Sequence, residues 1–187
     1  MRASRCLSKS LRRRALGAGF TLVELLTVVA ITGILATVGV VLVRNHLSMA
    51  KANRALSGLQ ALSAAEVAFR AENGRYLDCS GTTARWYPML IPGKTLYDWR
   101  QTHADGPCWQ ALGLPRDSGT QYGYLLHAGL PGVVAPVLAT AAQPVLGTSP
   151  EPWFVIQVKG DLDGDGVFLQ GFATSWSGEV YLENEGE

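Results

Sequence analysis

Hydrophobic and polar positions divide this chain into three stretches of different rhythm. From residue 20 to residue 43 a single ionisable side chain, Glu24, interrupts an otherwise uncharged and largely apolar run. The part from Leu25 to Val43, nineteen residues, makes roughly 28 Å of helix at 1.5 Å per residue, close to the ~30 Å hydrocarbon layer of a membrane. No proline or strong stop comes next, and helix formers continue to Glu72, but the apolar run becomes a stripe. Ala55, Leu59, Leu62, Ala65 and Phe69 recur at three- and four-residue spacing, while Lys51, Arg54 and Arg70 are left for solvent. Glu66 stands four residues before Arg70, the favourable order for a helical ion pair, and Asn73-Gly74 offers a left-handed stop. The expectation is one helix of about fifty residues, continuously apolar over 20–43 and amphipathic over 44–75.

The rhythm changes again after Tyr76. Residues 76–119 are rich in Gly, Pro and Trp and read as a long connection, with Trp86, Trp99 and Trp109 expected to pack it onto a sheet more than to line a binding surface. Period-two alternation begins near residue 121, where Tyr122, Tyr124 and Leu126 alternate with smaller or polar neighbours. Strands are expected over 121–127, 153–159, 167–174 and 179–182, forming an antiparallel meander within residues 120–187. Pro131, Pro136 and Pro144 weigh against a strand over 133–140. The fold class is therefore α+β, a long N-terminal helix packed on a C-terminal antiparallel sheet.

Charge sharpens this picture. The formal net charge of +1 conceals an asymmetry, since Arg2, Arg5, Lys9, Arg12, Arg13 and Arg14 precede the first acid, Glu24. Basic residues ahead of an apolar run hold the N-terminus in the cytoplasm and send the residues beyond the run across the membrane. An ordinary secretory signal carries its small-residue cleavage site after its apolar core. Here the candidate site, Gly19, comes before it, so cleavage would remove residues 1–19 as a leader and leave the apolar run on the mature chain. Ten Lys and Arg would then face fifteen Asp and Glu, and from Asp161 onward there are seven acids and no Lys or Arg. That balance argues against nucleic acid as a partner.

Of three cysteines, Cys6 lies in the leader, leaving Cys79 and Cys108 in the part expected outside the cell's reducing compartment. A disulfide between them is expected, worth a few kcal/mol by loop-closure entropy. Asp161-Leu162-Asp163-Gly164-Asp165-Gly166 alternates acids through a glycine-rich turn, as hard oxygen ligands for calcium require, but the twelfth position is Phe172 where a calcium loop carries a bidentate Glu. Calcium site and metal-free hairpin turn both stay open on this pattern. His46, His103 and His127 are dispersed, no nucleophile motif occurs, and catalysis is not expected.

Gly19-Phe20-Thr21-Leu22-Val23-Glu24-Leu25 behind a basic leader resembles the prepilin signal of type IV pilins and type II secretion pseudopilins, and Asn73-Gly74-Arg75-Tyr76 is similar to the end of the long helix in that family. The resemblance implies cleavage between Gly19 and Phe20 by a prepilin peptidase, N-methylation of Phe20, and a role for Glu24 in docking to a filament neighbour. It also implies inner-membrane assembly machinery and other pilin or pseudopilin subunits as partners. Many major pilins carry a helix-bending proline in the membrane half, whereas Pro88 is the first proline after Phe20 here. The expectation is accordingly a minor pilin or pseudopilin.

Physical chemistry leads the same way. A carboxylate at membrane depth costs about 2.5–3.5 kcal/mol unless paired. An amino group newly exposed on Phe20 would lie one turn from Glu24. Outside lipid, the apolar span needs other spans to cover it. The rival expectation is a monomeric, membrane-tethered periplasmic binding module, calcium-dependent through Asp161, Asp163 and Asp165.

Overall fold

The computed structural model describes residues 19–81, 85–89, 92–99, 105–113, 119–138, 140 and 146–185, without the side chain of Asn45. Its first element, α1, is a 52-residue helix from Leu22 to Asn73. No proline interrupts that sequence, and its β-branched residues, which all fall between Val23 and Val43 except Val67, lower helix propensity only slightly. It ends where the local chemistry says it should. Gly74 takes the left-handed conformation (φ 73°), and its N–H returns to the Arg70 carbonyl at 2.8 Å.

The chain divides into two compact units, Met1–Leu42 and Val43–Glu187. In the first, the described part is the apolar half of α1, and none of its side chains is buried. The second contains the amphipathic half of α1, a short helix α2 (Gly106–Ala111) and four strands, β1 (Gly123–Gly129), β2 (Trp153–Gly160), β3 (Leu169–Thr174) and β4 (Val180–Glu183). The strands pair antiparallel in chain order, a meander as expected. β1 lies two residues later than its alternation suggested, since Thr120 instead bridges Tyr97 through two backbone hydrogen bonds of 2.7 and 2.8 Å. Residues 133–138 form no strand. Val134 makes one isolated bridge to Thr148, in keeping with the prolines.

Both faces of the sheet are covered. On one, the stripe Ala52, Ala55, Leu59 and Leu62 packs with Tyr124 and Leu126 of β1, Phe154, Ile156 and Val158 of β2, and Leu169 and Ala173 of β3. On the other, the β1–β2 connection turns back so that Leu138 packs with Trp153 and Val155. Helix and sheet approach closely at one point, where a Cβ on Gly58 would come within 2.2 Å of the Tyr124 hydroxyl. Glycine is what permits that contact.

Candidate functional site

The N-terminal cluster comes first. Gly19 and Phe20 are exposed and lie outside the helix, and Thr21 immediately precedes its first turn. Thr21 donates its backbone N–H (3.0 Å) and its hydroxyl (2.9 Å) to the Glu24 carboxylate, while the Glu24 N–H donates back to the Thr21 hydroxyl at 3.2 Å. This reciprocal cap satisfies amides that the start of a helix leaves without partners. Glu24 thus has a partner within its own chain, one the family motif did not suggest. The Thr-x-x-Glu spacing could have revealed it. Beyond the cap, α1 is long and apolar enough to cross a membrane, and Leu22, Val23, Leu25, Leu26, Val28, Val29, Ile31, Ile34 and Leu35 are all more than half exposed.

The second unit holds its connection down by chemistry spread along the chain. Cys79 and Cys108 form the expected disulfide, joining the segment after α1 to α2. Ser80 fastens the same segment to β1, donating its N–H to the Leu126 carbonyl and accepting the Leu126 N–H on its hydroxyl, both at 2.9 Å. The tryptophans pack as expected. Trp109 is buried and stacks on Tyr87 with centroids 5.0 Å apart, Trp99 stacks on Tyr124 at 5.4 Å, and the Tyr87 hydroxyl donates to the Trp99 carbonyl. Trp86 is half-buried, with the Lys159 ammonium 5.9 Å from its ring.

The ion pair expected between Glu66 and Arg70 does not form. Glu66 is fully buried within the stripe, and its Oε2 accepts the Leu77 N–H at 3.0 Å. Its Oε1 is buried with no hydrogen-bond partner among the described residues. Burial pushes the Glu66 carboxyl up to about 7; the Leu77 amide pulls the other way and the nearby Asp78 adds to the rise. Arg70 turns instead to Tyr76, donating to its hydroxyl at 2.9 Å and lying 4.9 Å from its ring centroid. The reason is geometric: residue 66 falls on the sheet-facing side of the helix, where an exposed pair cannot be made. His127, on β1, has Nδ1 4.0 Å from an Asp78 carboxylate oxygen, and burial lowers its affinity for a proton. His46 lies far along α1, and His103 is outside the described residues.

Asp161, Asp163 and Asp165 do converge, each bringing an oxygen within 4.8 Å of the others, so the donors suit a hard cation. They supply three ligands where calcium takes about six to eight. They are also occupied in building the turn. Asp161 accepts the N–H groups of Gly164 (2.6 Å) and Gly166 (3.2 Å), Asp163 that of Asp165 (3.3 Å), and Asp165 that of Val167 (2.7 Å). Phe172, at the position a calcium loop gives to its bidentate Glu, sits in β3 beside Tyr181. Lys94 adds a cation of the protein's own, its Nζ 2.9 Å from where a Cβ on Gly164 would lie. The three carboxylates cap the amides of their own turn and also offer three converging oxygens, to which backbone carbonyls or water would have to be added for a calcium shell.

Comparison of the chain with protein-family models, with curated proteins and with solved structures found no match.

Proposed function

We propose that this chain is a structural subunit of a type IV pilus or a related filament, a minor pilin or pseudopilin, and not an enzyme. The observation that carries this reading is the apolar half of α1, which no other part of the chain covers among the described residues. Such a rod is stable in lipid. Outside lipid, it is stable against other rods like it, because large apolar surface is then removed from water again. The prepilin-like motif supports the same conclusion. Gly19 and Phe20 lie in an exposed, non-helical segment suited to a prepilin peptidase, and the unbroken helix, free of proline, fits a subunit of low abundance.

On this reading the precursor spans the inner membrane once, with its leader in the cytoplasm and residues 44–187 in the periplasm. Cleavage exposes an ammonium on Phe20, which is N-methylated. Assembly machinery then draws the subunit into the filament, where Glu24 meets a neighbour's ammonium. The capping bonds from Thr21 keep the carboxylate partnered before that exchange. In low dielectric, a misregistered neighbour would leave two charges unpaired, so the pair acts on register more than on net stability.

Glu24→Ala should leave membrane insertion and cleavage intact and remove the protein from sheared filaments. Incorporation of that variant at the wild-type level would refute the assembly role. Mass spectrometry of the N-terminus tests processing directly, a methylated Phe20 being expected. An intact Met1 leader would favour a monomeric membrane tether.

A further inference from the structure

We infer that Glu66 is a proton-operated latch on the chain leaving α1, closed while its carboxyl is neutral and loosened when the carboxyl ionises. The inference concerns the second unit alone and does not rest on the filament reading. Glu66 occupies a position on the helix stripe that an apolar residue would ordinarily fill, and it spends one oxygen on the Leu77 amide while the other has no partner among the described residues. What it grips is the fastening of the whole helix end. Tyr76 stands edge-on to Phe154 at 4.9 Å, Cys79 is bonded to Cys108, and Ser80 is bound twice to Leu126 of β1.

The surrounding charges do not stabilise an anion there. From the exit segment Asp78 faces Glu66 with like charge. On β1 His127 has its Nδ1 4.0 Å from an Asp78 carboxylate oxygen, and burial disfavours its protonated form. On α1 itself Arg70 is committed to Tyr76. Helix α2 carries no acid or base besides disulfide-bonded Cys108, with Asp105 ahead of it, and on β2 Lys159 lies over Phe168 at 3.8 Å. Ionisation would strengthen the bond from the Leu77 N–H, but it would leave a charged, desolvated Oε1 without a partner among the described residues and near a second carboxylate. Burial is the larger of these opposing effects, so the anion is relieved only if the segment opens to water.

These surroundings set the sign of the pH dependence. Glu66 is pushed up to about 7 in the fold from an ordinary 4.5, so its contribution to stability is complete below 4.5 and is lost as pH rises through 7. His127 acts oppositely. Its proton affinity is lowered from an ordinary 6.5, so its contribution is present above that value and is lost as pH falls. The two can be separated by substitution.

The test uses the full chain in detergent micelles, with urea unfolding followed by tryptophan fluorescence between pH 5 and pH 8, and hydrogen exchange of the peptide containing Leu77 corrected for intrinsic rates. Relative to Glu66→Gln, the wild-type folding constant should fall on the order of 50-fold across that range. Protection of Leu77 should fall with it, and both effects should persist in His127→Gln. An identical pH dependence in wild type and Glu66→Gln would overturn the latch, as would loss of the step in His127→Gln. Should Glu66→Gln fail to fold, the wild-type exchange decides alone: constant Leu77 protection from pH 5 to pH 8 overturns the inference.

Discussion

The two halves of α1 obey the same backbone rules and face opposite surroundings. Over the first half, every large apolar side chain from Leu22 to Leu35 is exposed, and the residues form no stripe. Over the second, Ala52, Ala55, Leu59, Leu62 and Glu66 form one buried line and the remainder faces outward or is partly covered. Helical structure alone therefore says nothing about what a residue contributes. In the second half, stability comes from burial against the sheet. In the first, the described residues provide no burial to lose.

Substitutions along this single helix make the contrast measurable. The largest difference should separate Leu62→Ala from Val29→Ala. Leu62 is 1 % exposed, so its truncation should cost about 2–5 kcal/mol in urea unfolding of the full chain in detergent. Val29 is 60 % exposed, and its truncation should change the same transition by less than about 0.5 kcal/mol. Comparable losses at both positions would mean that the apolar half is covered by the chain itself.

Gly58→Ala should come next, at about 1–3 kcal/mol, because the added methyl group meets the Tyr124 hydroxyl and must push helix or ring aside. An unchanged or raised stability would show that helix propensity outweighs this contact. The smallest effect belongs to the cap. Thr21→Val keeps the shape and removes the hydroxyl, and should fray the first turn at a cost of about 1 kcal/mol. It should be visible as faster amide exchange near Glu24 with no change in the urea transition of the second unit.

Much of this architecture is legible in the residues themselves. The helix length, its stop at Asn73-Gly74, the disulfide and the four-strand meander all rest on rules that operate over a few residues, or on two cysteines expected to share a compartment apart from Cys6. The Thr21 cap is legible too, through its spacing to Glu24, but the anomaly of a lone acid in an apolar run points to an intermolecular partner first. Strand edges are harder. Tyr122 continues the alternation toward β1, yet its hydroxyl reaches the Lys51 carbonyl at 2.7 Å, and β1 begins one residue later.

Glu66 marks where local reading ends. By spacing it belongs with Arg70; by position on the helix it belongs to the core, and its partner is an amide eleven residues away. The convergence of Asp161, Asp163 and Asp165 is readable from their alternation, whereas their use as caps for the turn's own amides depends on how the turn closes in three dimensions.

From sequence alone came the apolar rod, its length, the motif at its start and the α+β class, because hydrophobicity, helix continuity and β-propensity act between near neighbours. Only the tertiary structure decided which face of the amphipathic half is buried to the point of enclosing a carboxyl, which connection covers the second face of the sheet, and why residue 58 is glycine. Those outcomes depend on groups tens of residues apart meeting at van der Waals distance, and no local pattern records which of them will meet.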